Sequence, residues 1–104
     1  MDLNLKGKRA LVTGATRGIG RAIAETLAGE GCNLSICALG EKEVAAAVER
    51  LQTKGVAAYG ASVDVAKDGD IQDWVRRSTE QLGGLDIIVS NVGAMDLGTG
   101  RASW

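Results

Sequence analysis

The stretch Thr13-Gly14-Ala15-Thr16-Arg17-Gly18-Ile19-Gly20 decides the fold, because it joins a short apolar run to an amphipathic one. The run before it, residues 9–13 (RALVT), has the length and composition of a strand buried in a sheet. From Gly18 onward, apolar residues recur every four positions, which predicts a helix with one buried stripe. The residues of that stripe are Ile19, Ile23 and Leu27. The stretch is therefore a glycine-rich turn between a strand and a helix.

Such a turn is suited to binding an anion. A helix N-terminus carries unpaired N–H groups and about half a positive charge, so the backbone alone can hold a pyrophosphate there. A Cβ at Gly14 would obstruct the tight turn, and one at Gly18 would block the approach of the anion. A Cβ at Gly20 would push the helix away from the strand. We therefore expect residues 14–20 to bind the phosphates of a nucleotide.

The rest of the chain alternates strand and helix signals. Further strands are predicted at residues 33–38, 56–62 and 85–90. Further helices are predicted over about residues 41–54 and 71–82. Gly31, Gly55 and the Gly83-Gly84 pair are expected to end the three helices. This alternation is typical of an α/β doubly wound parallel sheet.

Composition narrows the class of protein. The 104 residues are 45% hydrophobic and 24% charged with a net charge of -1, which is ordinary for one soluble domain. The charges are dispersed and no long apolar run is present, so we expect no nucleic acid, no membrane and a cytoplasmic location. The chain has no histidine, and Cys32 and Cys37 alone offer too few ligands for zinc. Both cysteines are expected to be small buried hydrophobes, with a disulfide or redox role as the alternative.

Three motifs together identify a family resemblance. The turn has the spacing G-x-x-x-G-x-G, not the G-x-G-x-x-G of other dinucleotide-binding folds. Asp64-Val65 follows the third strand, and Asn91-Val92-Gly93 follows the fourth. In this arrangement the chain resembles the short-chain dehydrogenases/reductases, with Val92 standing where the family's Asn-Ala-Gly has alanine. The resemblance extends over essentially the whole chain and implies a Rossmann-type sheet with strand order 3-2-1-4, truncated after its fourth strand. With that order, right-handed crossovers place the third helix on the face opposite the first two.

The resemblance also implies which residues contact the cofactor. Those expected to contact its adenosine side and pyrophosphate are Gly14, Thr16, Gly18, Ile19 and Gly20. The Asp64 carboxylate would accept a hydrogen bond from the adenine amino group, and Val65 would offer its backbone N–H to the ring. Asn91 would brace the fourth strand, and Gly93 would let the adenine ribose approach. The alternatives are a solvated turn for Asp64 and a plain loop for Asn91 to Gly93.

The end of the second strand bears on the choice of cofactor. An acid there would bind the ribose hydroxyls of NAD and repel a 2′-phosphate, and Ala38 stands where NAD-preferring members carry aspartate. Arg17 can approach a 2′-phosphate, and a solvated loop residue is the alternative interpretation of this position. We therefore expect NADP(H) to be favoured over NAD(H). Leu39 is a departure, because many NADP-preferring relatives have arginine at that cofactor-contacting position, and the nearby Glu41 leaves NAD open.

The family's catalytic groups are a serine and a Tyr-x-x-x-Lys motif, and neither is expected within these residues. The single tyrosine, Tyr59, is followed four positions later by Val63 and is expected to be a strand residue. We interpret residues 1–104 as the N-terminal part of one NAD(P)-binding Rossmann domain whose catalytic half lies beyond Trp104. No catalytic residue and no metal ligand is predicted, and the chain alone is expected to be inactive.

The resemblance implies an oxidoreductase that transfers hydride between NADP(H) and a small-molecule carbonyl or alcohol, and that is a homo-oligomer at full length. A naturally short, non-catalytic nucleotide-binding or interaction module is the alternative. An S-adenosylmethionine methyltransferase also uses a glycine-rich first turn. Its ligand has no pyrophosphate, and both the glycine spacing and Asn91-Val92-Gly93 argue against it.

Overall fold

The computed structural model describes residues 4–64, 66–67 and 69–91, and it confirms the predicted alternation of strands and helices. The strands are β1 (Arg9–Thr13), β2 (Asn33–Ala38), β3 (Ala58–Ser62) and β4 (Ile87–Val89). The helices are α1 (Gly18–Gly29), α2 (Glu41–Gln52) and α3 (Asp70–Leu82). Each helix therefore connects two consecutive strands.

The four strands form one parallel sheet in the order β3-β2-β1-β4, as predicted. β1 lies in the centre, where Leu11 is paired with Ser35 of β2 on one side and with Ile88 of β4 on the other. Residues paired in this way point to the same face of the sheet. The carboxyl ends of all four strands consequently meet along one edge, which is where ligands bind in open α/β sheets.

The helices divide between the two faces as right-handed crossovers require. One face packs against α1 and α2 through a cluster of fully buried side chains. Its larger members are Val12, Leu34, Ile36 and Leu51. The opposite face packs against α3, where Trp74 contacts a cluster that includes Leu11 and Cys37. Ile88 belongs to that second face and is 56% exposed, so β4 is only partly covered there.

The buried stripe of α1 differs from the predicted one. Its fully buried residues are Gly20, Ala24 and Ala28, whereas Ile19 is 70% exposed and Ile23 and Leu27 are half-buried. The small residues allow the helix axis to approach the sheet closely, and the larger apolar side chains flank that contact. The prediction of Ile19 as a stripe residue was therefore wrong, because residue size and not hydrophobicity selects the contact face here.

Three element boundaries also differ from those predicted. α2 ends at Gln52, β3 begins only at Ala58, and β4 is limited to three residues. The glycine caps agree better: Gly31 has φ +90°, and the N–H of Cys32 donates to the carbonyl of Leu27 across the end of α1. Among the described residues, none of the helices combines the length and apolar composition needed to cross a bilayer.

An ion pair joins β1 to the start of β4 at the edge opposite the strands' carboxyl ends. Arg9 Nε lies 3.0 Å from Asp86 Oδ2, and the same oxygen accepts the Arg9 backbone N–H at 2.9 Å. Arg9 Nη1 also donates to the Gly83 carbonyl at 2.9 Å, so the guanidinium ties the end of α3 to both strands. The guanidinium and the backbone N–H of Arg9 lower the pKa of the Asp86 carboxyl.

We expect Asp86→Asn to reduce the acid sensitivity of the fold. Because the pKa of Asp86 is lower folded than unfolded, its contribution is complete above the usual aspartate value of about 3.9. It is lost as the pH falls through the lowered pKa. Urea unfolding followed from pH 7 to pH 3 should show a shallower loss of stability in the variant. Glu80→Gln, at an exposed helix position, is the control. An Asp86→Asn protein that loses stability with falling pH as steeply as wild type would contradict this role for Asp86.

Candidate functional site

The carboxyl edge of the sheet brings the predicted site residues together. Gly14 follows β1, Leu39 follows β2, Asp64 comes shortly after β3, and Asn91 comes shortly after β4. Cross-strand hydrogen bonds link neighbouring segments: the N–H of Gly14 donates to the Cys37 carbonyl at 2.9 Å. The edge is therefore a continuous surface built from four strand ends. Two residues assigned to it by sequence, Val65 and Gly93, lie outside the described residues.

The glycine-rich turn uses glycine where the backbone requires it. Gly14 has φ +61° and Gly18 has φ +63°, both in the left-handed region that side chains disfavour. A Cβ added to Gly18 would meet nothing within 4 Å, so the space in front of this residue is open. The turn thus leaves room for a ligand at the start of α1.

Gly20 has a different role, because its surroundings leave no space for a side chain. A Cβ there would overlap the Gly14 carbonyl oxygen and lie 2.7 Å from Asn91 Nδ2. The helix therefore packs directly on the turn and on the end of β4. This agrees with the expectation that a side chain at Gly20 would push the helix away.

The N-terminus of α1 is not neutralised by the chain itself. Arg17 is the N-cap residue in an extended conformation (φ -159°, ψ 167°), and its side chain makes no capping hydrogen bond. The first turn contains no acidic residue. Since the first-turn amides of a helix lack partners within the helix, this end is electropositive and accessible to an anion. Thr16 is half-buried beside it, while Arg17 and Ile19 are exposed.

Asn91 braces the carboxyl edge as anticipated. Its backbone N–H donates to Thr13 Oγ1 at 2.8 Å, and its side-chain amide donates to the Gly14 carbonyl at 3.4 Å. The Thr13 hydroxyl in turn donates to the carbonyl of Val89 at 3.5 Å. These contacts hold the end of β4 against the glycine-rich turn.

Asp64 is half-buried, and one of its carboxylate oxygens is engaged locally. Oδ1 accepts the Ala66 N–H at 3.0 Å, and the Asp64 carbonyl accepts the Lys67 N–H at 3.0 Å. This is an Asx-type turn, which orients the side chain at the end of β3. The second oxygen, Oδ2, has no such bond among the described residues. Its predicted contact with adenine stays a prediction.

Two residues that the sequence did not single out, Ser62 of β3 and Glu43 of α2, contact the connection between β2 and α2. Ser62 Oγ donates to the Leu39 carbonyl at 2.5 Å and fixes that exposed residue in place. Gly40 is the N-cap of α2, and the Glu43 carboxylate lies over it, in the space that a Cβ would occupy. Glu43 stands three residues after the cap, the position from which a glutamate folds back in a capping box. The three-residue spacing between Gly40 and Glu43 was therefore the sequence signal that could have identified this contact.

Both cysteines are free and buried, as expected. They stand five residues apart on an extended segment, a separation of about 16 Å that excludes a disulfide between them. Burial raises the pKa of the Cys37 thiol to about 11, although a hydrogen bond from the Gly14 backbone opposes that rise. Cys37 is therefore a neutral thiol beneath the turn. Within the described ranges no group of side chains could hold a metal ion.

These observations fit a dinucleotide. The open space before Gly18 and the free first turn of α1 suit a pyrophosphate, which approaches backbone amides where no side chain intervenes. Ile19 at the start of α1 and Leu39 after β2 expose apolar side chains, each 70% accessible. Large exposed apolar residues at a site with few charges are suited to cover a flat ring or a ribose.

Comparisons with known proteins agree with this geometry. The family model described as short chain dehydrogenase matches residues 8–102. The 3-oxoacyl-[acyl-carrier-protein] reductase FabG of Staphylococcus epidermidis is 42% identical over 87 residues, which are 83% of this chain. The chain spans 36% of that relative's length.

Two of the similar solved structures contain a nicotinamide cofactor, NADP in one and NAD+ in the other. A short chain dehydrogenase from Burkholderia cenocepacia, in complex with NADP, has a TM-score of 0.77 and 40% identity. Its alignment covers 81% of this chain and 35% of that one. An NAD+-bound xylitol dehydrogenase has a TM-score of 0.77 and 30% identity, covering 81% of this chain and 32% of that one.

Proposed function

Because the chain belongs to the short-chain dehydrogenase/reductase family, we propose that it forms the cofactor-binding portion of an NADP(H)-dependent oxidoreductase that interconverts a carbonyl and an alcohol. The observation that carries the proposal is the turn at residues 14–20. Its glycines leave open space in front of an uncapped helix N-terminus that contains no acid. Backbone amides in this setting hold a pyrophosphate.

The cofactor and the chain have separate roles at the proposed site. When bound, the nicotinamide supplies the hydride chemistry, and the protein binds and orients it. The turn would hold the pyrophosphate, and Asp64 would accept a hydrogen bond from the adenine amino group. Asn91 keeps the turn and β4 in register through Thr13 and Gly14. Val65 and Gly93 complete the proposed contacts to the adenine ring and its ribose.

NADP(H) is proposed over NAD(H) on two grounds. Ala38 ends β2 without the acid that would accept the ribose hydroxyls and repel a 2′-phosphate. Arg17 is exposed at the start of α1 and makes no ion pair among the described residues, so its guanidinium is free to meet a phosphate. Solved relatives with NADP and with NAD+ are both known, so the preference depends on these residues of the chain itself.

The proposed activity needs groups that residues 1–104 do not contain. Tyr59, the single tyrosine, lies on β3 and is followed by Val63 where the family motif requires lysine. We therefore propose that these residues bind cofactor without turning a substrate over. The proposal includes a small-molecule carbonyl or alcohol as substrate of the whole enzyme, assembly as a homo-oligomer, and a cytoplasmic location. A non-catalytic nucleotide-binding module would give binding without any such activity in the longer protein.

Calorimetric titration with NADP+ and NAD+ tests the proposal. We expect tighter binding of NADP+, and we expect Gly18→Ala to weaken both nucleotides at least about tenfold, because its Cβ enters the phosphate site. The backbone strain of a left-handed alanine costs about 1–2 kcal/mol wherever it occurs. Gly55→Ala is the matched control, since Gly55 has φ +85°, an open environment and a place at the end of α2.

Gly55→Ala should lose a similar amount of stability and keep its affinity. If wild-type protein binds neither nucleotide, the proposed function is wrong. If it binds NAD+ more tightly, the NADP(H) assignment alone is overturned. Equal weakening by both glycine variants would show that strain, and not a phosphate site at Gly18, caused the loss.

A further inference from the structure

β3 forms one outer edge of the sheet and directs part of its backbone away from it. The Val63 N–H, just after the strand, donates to the Ala38 carbonyl at the end of β2 at 2.9 Å. Because the backbone groups of successive strand residues point to opposite sides, every second residue counted back from Val63 pairs with β2. The residues between them direct both N–H and C=O groups outward. Those residues are Ala58, Gly60 and Ser62.

Most of these outward backbone groups have no partner within the part of the chain that the structure describes. Gln52 Nε2 donates to the Ala58 carbonyl at 3.1 Å, and a carbonyl oxygen can accept a second hydrogen bond. The Ala58 N–H and the outward groups of Gly60 and Ser62 make no hydrogen bond to the described residues. A row of unpaired backbone groups on an exposed strand is a template for pairing with another chain.

We propose that this edge pairs with the same edge of a second copy of the chain, antiparallel about a twofold axis at Gly60. In that register Gly60 faces Gly60 of the second copy, and Ala58 faces Ser62 in both directions. Each facing pair exchanges both of its N–H···O bonds, as in the hydrogen-bonded pairs of an antiparallel ladder. No outward group of β3 is then left unpaired. The surface is separate from the turn at residues 14–20, so the inference does not rest on nucleotide binding.

The side chains of β3 suit the same register. Tyr59 is 37% exposed and Ala61 is half-buried, and both point to the α3 face of the sheet. Each Tyr59 would lie opposite Ala61 of the second copy, where antiparallel strands approach to a Cα separation of about 4.5 Å. A large side chain therefore meets a small one on both sides of the axis. On the α2 face, the residue at the axis is Gly60, which has no side chain to obstruct the partner.

The charges around the groove between α2 and β3 are compatible with self-association. One side of α2 borders this groove, and Glu41 is the charged residue among those that line it. Glu41 lies near the carboxyl end of β3, and the exposed Lys54 precedes its amino end. An antiparallel partner therefore brings the acidic end of one copy to the basic end of the other. The two Glu41 residues are about 16 Å apart, because each faces the Gln52 end of the opposite helix.

The size of the surface predicts a weak dimer. Eleven residues line the groove, which is roughly half of the 20–30 residues that each side of a stable interface contributes. We therefore expect association that depends on protein concentration and is in rapid exchange with the monomer.

Amide hydrogen exchange of the wild-type chain tests the pairing residue by residue. Between about 10 µM and 1 mM protein, exchange at Gly60 and Ser62 should slow, and sedimentation equilibrium should show dimer forming over the same range. Ile87 is the internal control. Its N–H points to the open side of β4, since the preceding Asp86 N–H donates to Arg9 of β1, and its exchange should not change with concentration.

Two lysine variants on α2 test the same surface from the side chains. Ala45 is exposed and lines the groove, so Ala45→Lys should raise the dimer dissociation constant at least about tenfold by placing like charges at the contact. Ala46 is also exposed but does not line the groove, and Ala46→Lys should associate as wild type does. Urea unfolding of both variants checks that each remains folded.

Three results would overturn the proposal. The first is a wild-type chain that stays monomeric at the highest of these concentrations, with unchanged exchange at Gly60 and Ser62. The second is equal weakening of the dimer by Ala45→Lys and Ala46→Lys. The third is a dimer that Ala45→Lys leaves intact and Ile88→Lys abolishes, which would place the contact at β4.

Discussion

Gly20→Ala is expected to lose nucleotide binding and to unfold at markedly lower denaturant concentration than wild type. The added methyl group would overlap the Gly14 carbonyl and press on the Asn91 amide. The turn carbonyl belongs to backbone, which cannot rotate away as a flexible side chain can. Overpacking of this kind costs about 1–3 kcal/mol, and here relief requires moving α1 away from the turn. That movement displaces the amides that would hold a pyrophosphate.

Gly29→Ala supplies the control within the same helix. A Cβ at Gly29 would meet nothing within 4 Å, and alanine is favoured over glycine in a helix by about 0.5–1 kcal/mol. Urea unfolding should therefore show Gly29→Ala at or above wild-type stability, with nucleotide affinity unchanged. A Gly20→Ala protein with wild-type stability and wild-type nucleotide affinity would show that α1 does not pack on the turn as described.

The glycine-rich turn illustrates how much the sequence could predict. The spacing of Gly14, Gly18 and Gly20 predicted a strand, a turn and a helix, and the structure shows a positive φ at the first two and no room for a side chain at the third. The strand order 3-2-1-4 was implied by the family resemblance, and the division of helices between the two faces followed from that order and the right-handedness of the crossovers. Motif resemblance and handedness together therefore predicted the topology.

The sequence could not predict which side of α1 faces the sheet. Periodicity marks apolar residues, but Ile19 is exposed and Gly20, Ala24 and Ala28 are buried. Close packing of a helix on a turn requires small residues. A pattern of large apolar residues does not identify a contact face that is made of glycine and alanine. Ile19 instead projects at the mouth of the site, an example of local pattern failing at a proposed functional position.

The connection after β2 was equally hard to predict in detail. In the sequence, Ala38 ends the strand without an acid, and Glu41 is the nearest carboxylate. Glu43 reaches Gly40 only because the helix folds the third residue of its first turn back over the cap. The Ser62 hydroxyl joins from a different strand, a contact that no local pattern encodes.

Ser78→Ala is expected to destabilise the fold by about 1–3 kcal/mol, because it leaves a buried hydroxyl without a partner. Ser35 Oγ on β2 and Ser78 Oγ on α3 lie 2.7 Å apart, and each residue is only 1% exposed. They form a polar pair on the face of the sheet that also contains Trp74. Ser35 is only 1% exposed, so bulk solvent cannot replace the lost partner, and the free energy of unfolding measured in urea should fall.

Replacing the other serine of the pair should lower the free energy of unfolding by a smaller amount. After Ser35→Ala, the Ser78 hydroxyl can turn to the carbonyl of Trp74, four residues earlier in α3, as helical serines often do. Ser35 has no such option within a strand. The double variant removes both hydroxyls, so its destabilisation should be smaller than the sum of the two single changes. An exposed serine, Ser90, is the control, and Ser90→Ala should alter stability by less than about 0.5 kcal/mol. Strictly additive single and double variants would show that the two hydroxyls are not coupled, and that α3 is held on the sheet by apolar contacts alone.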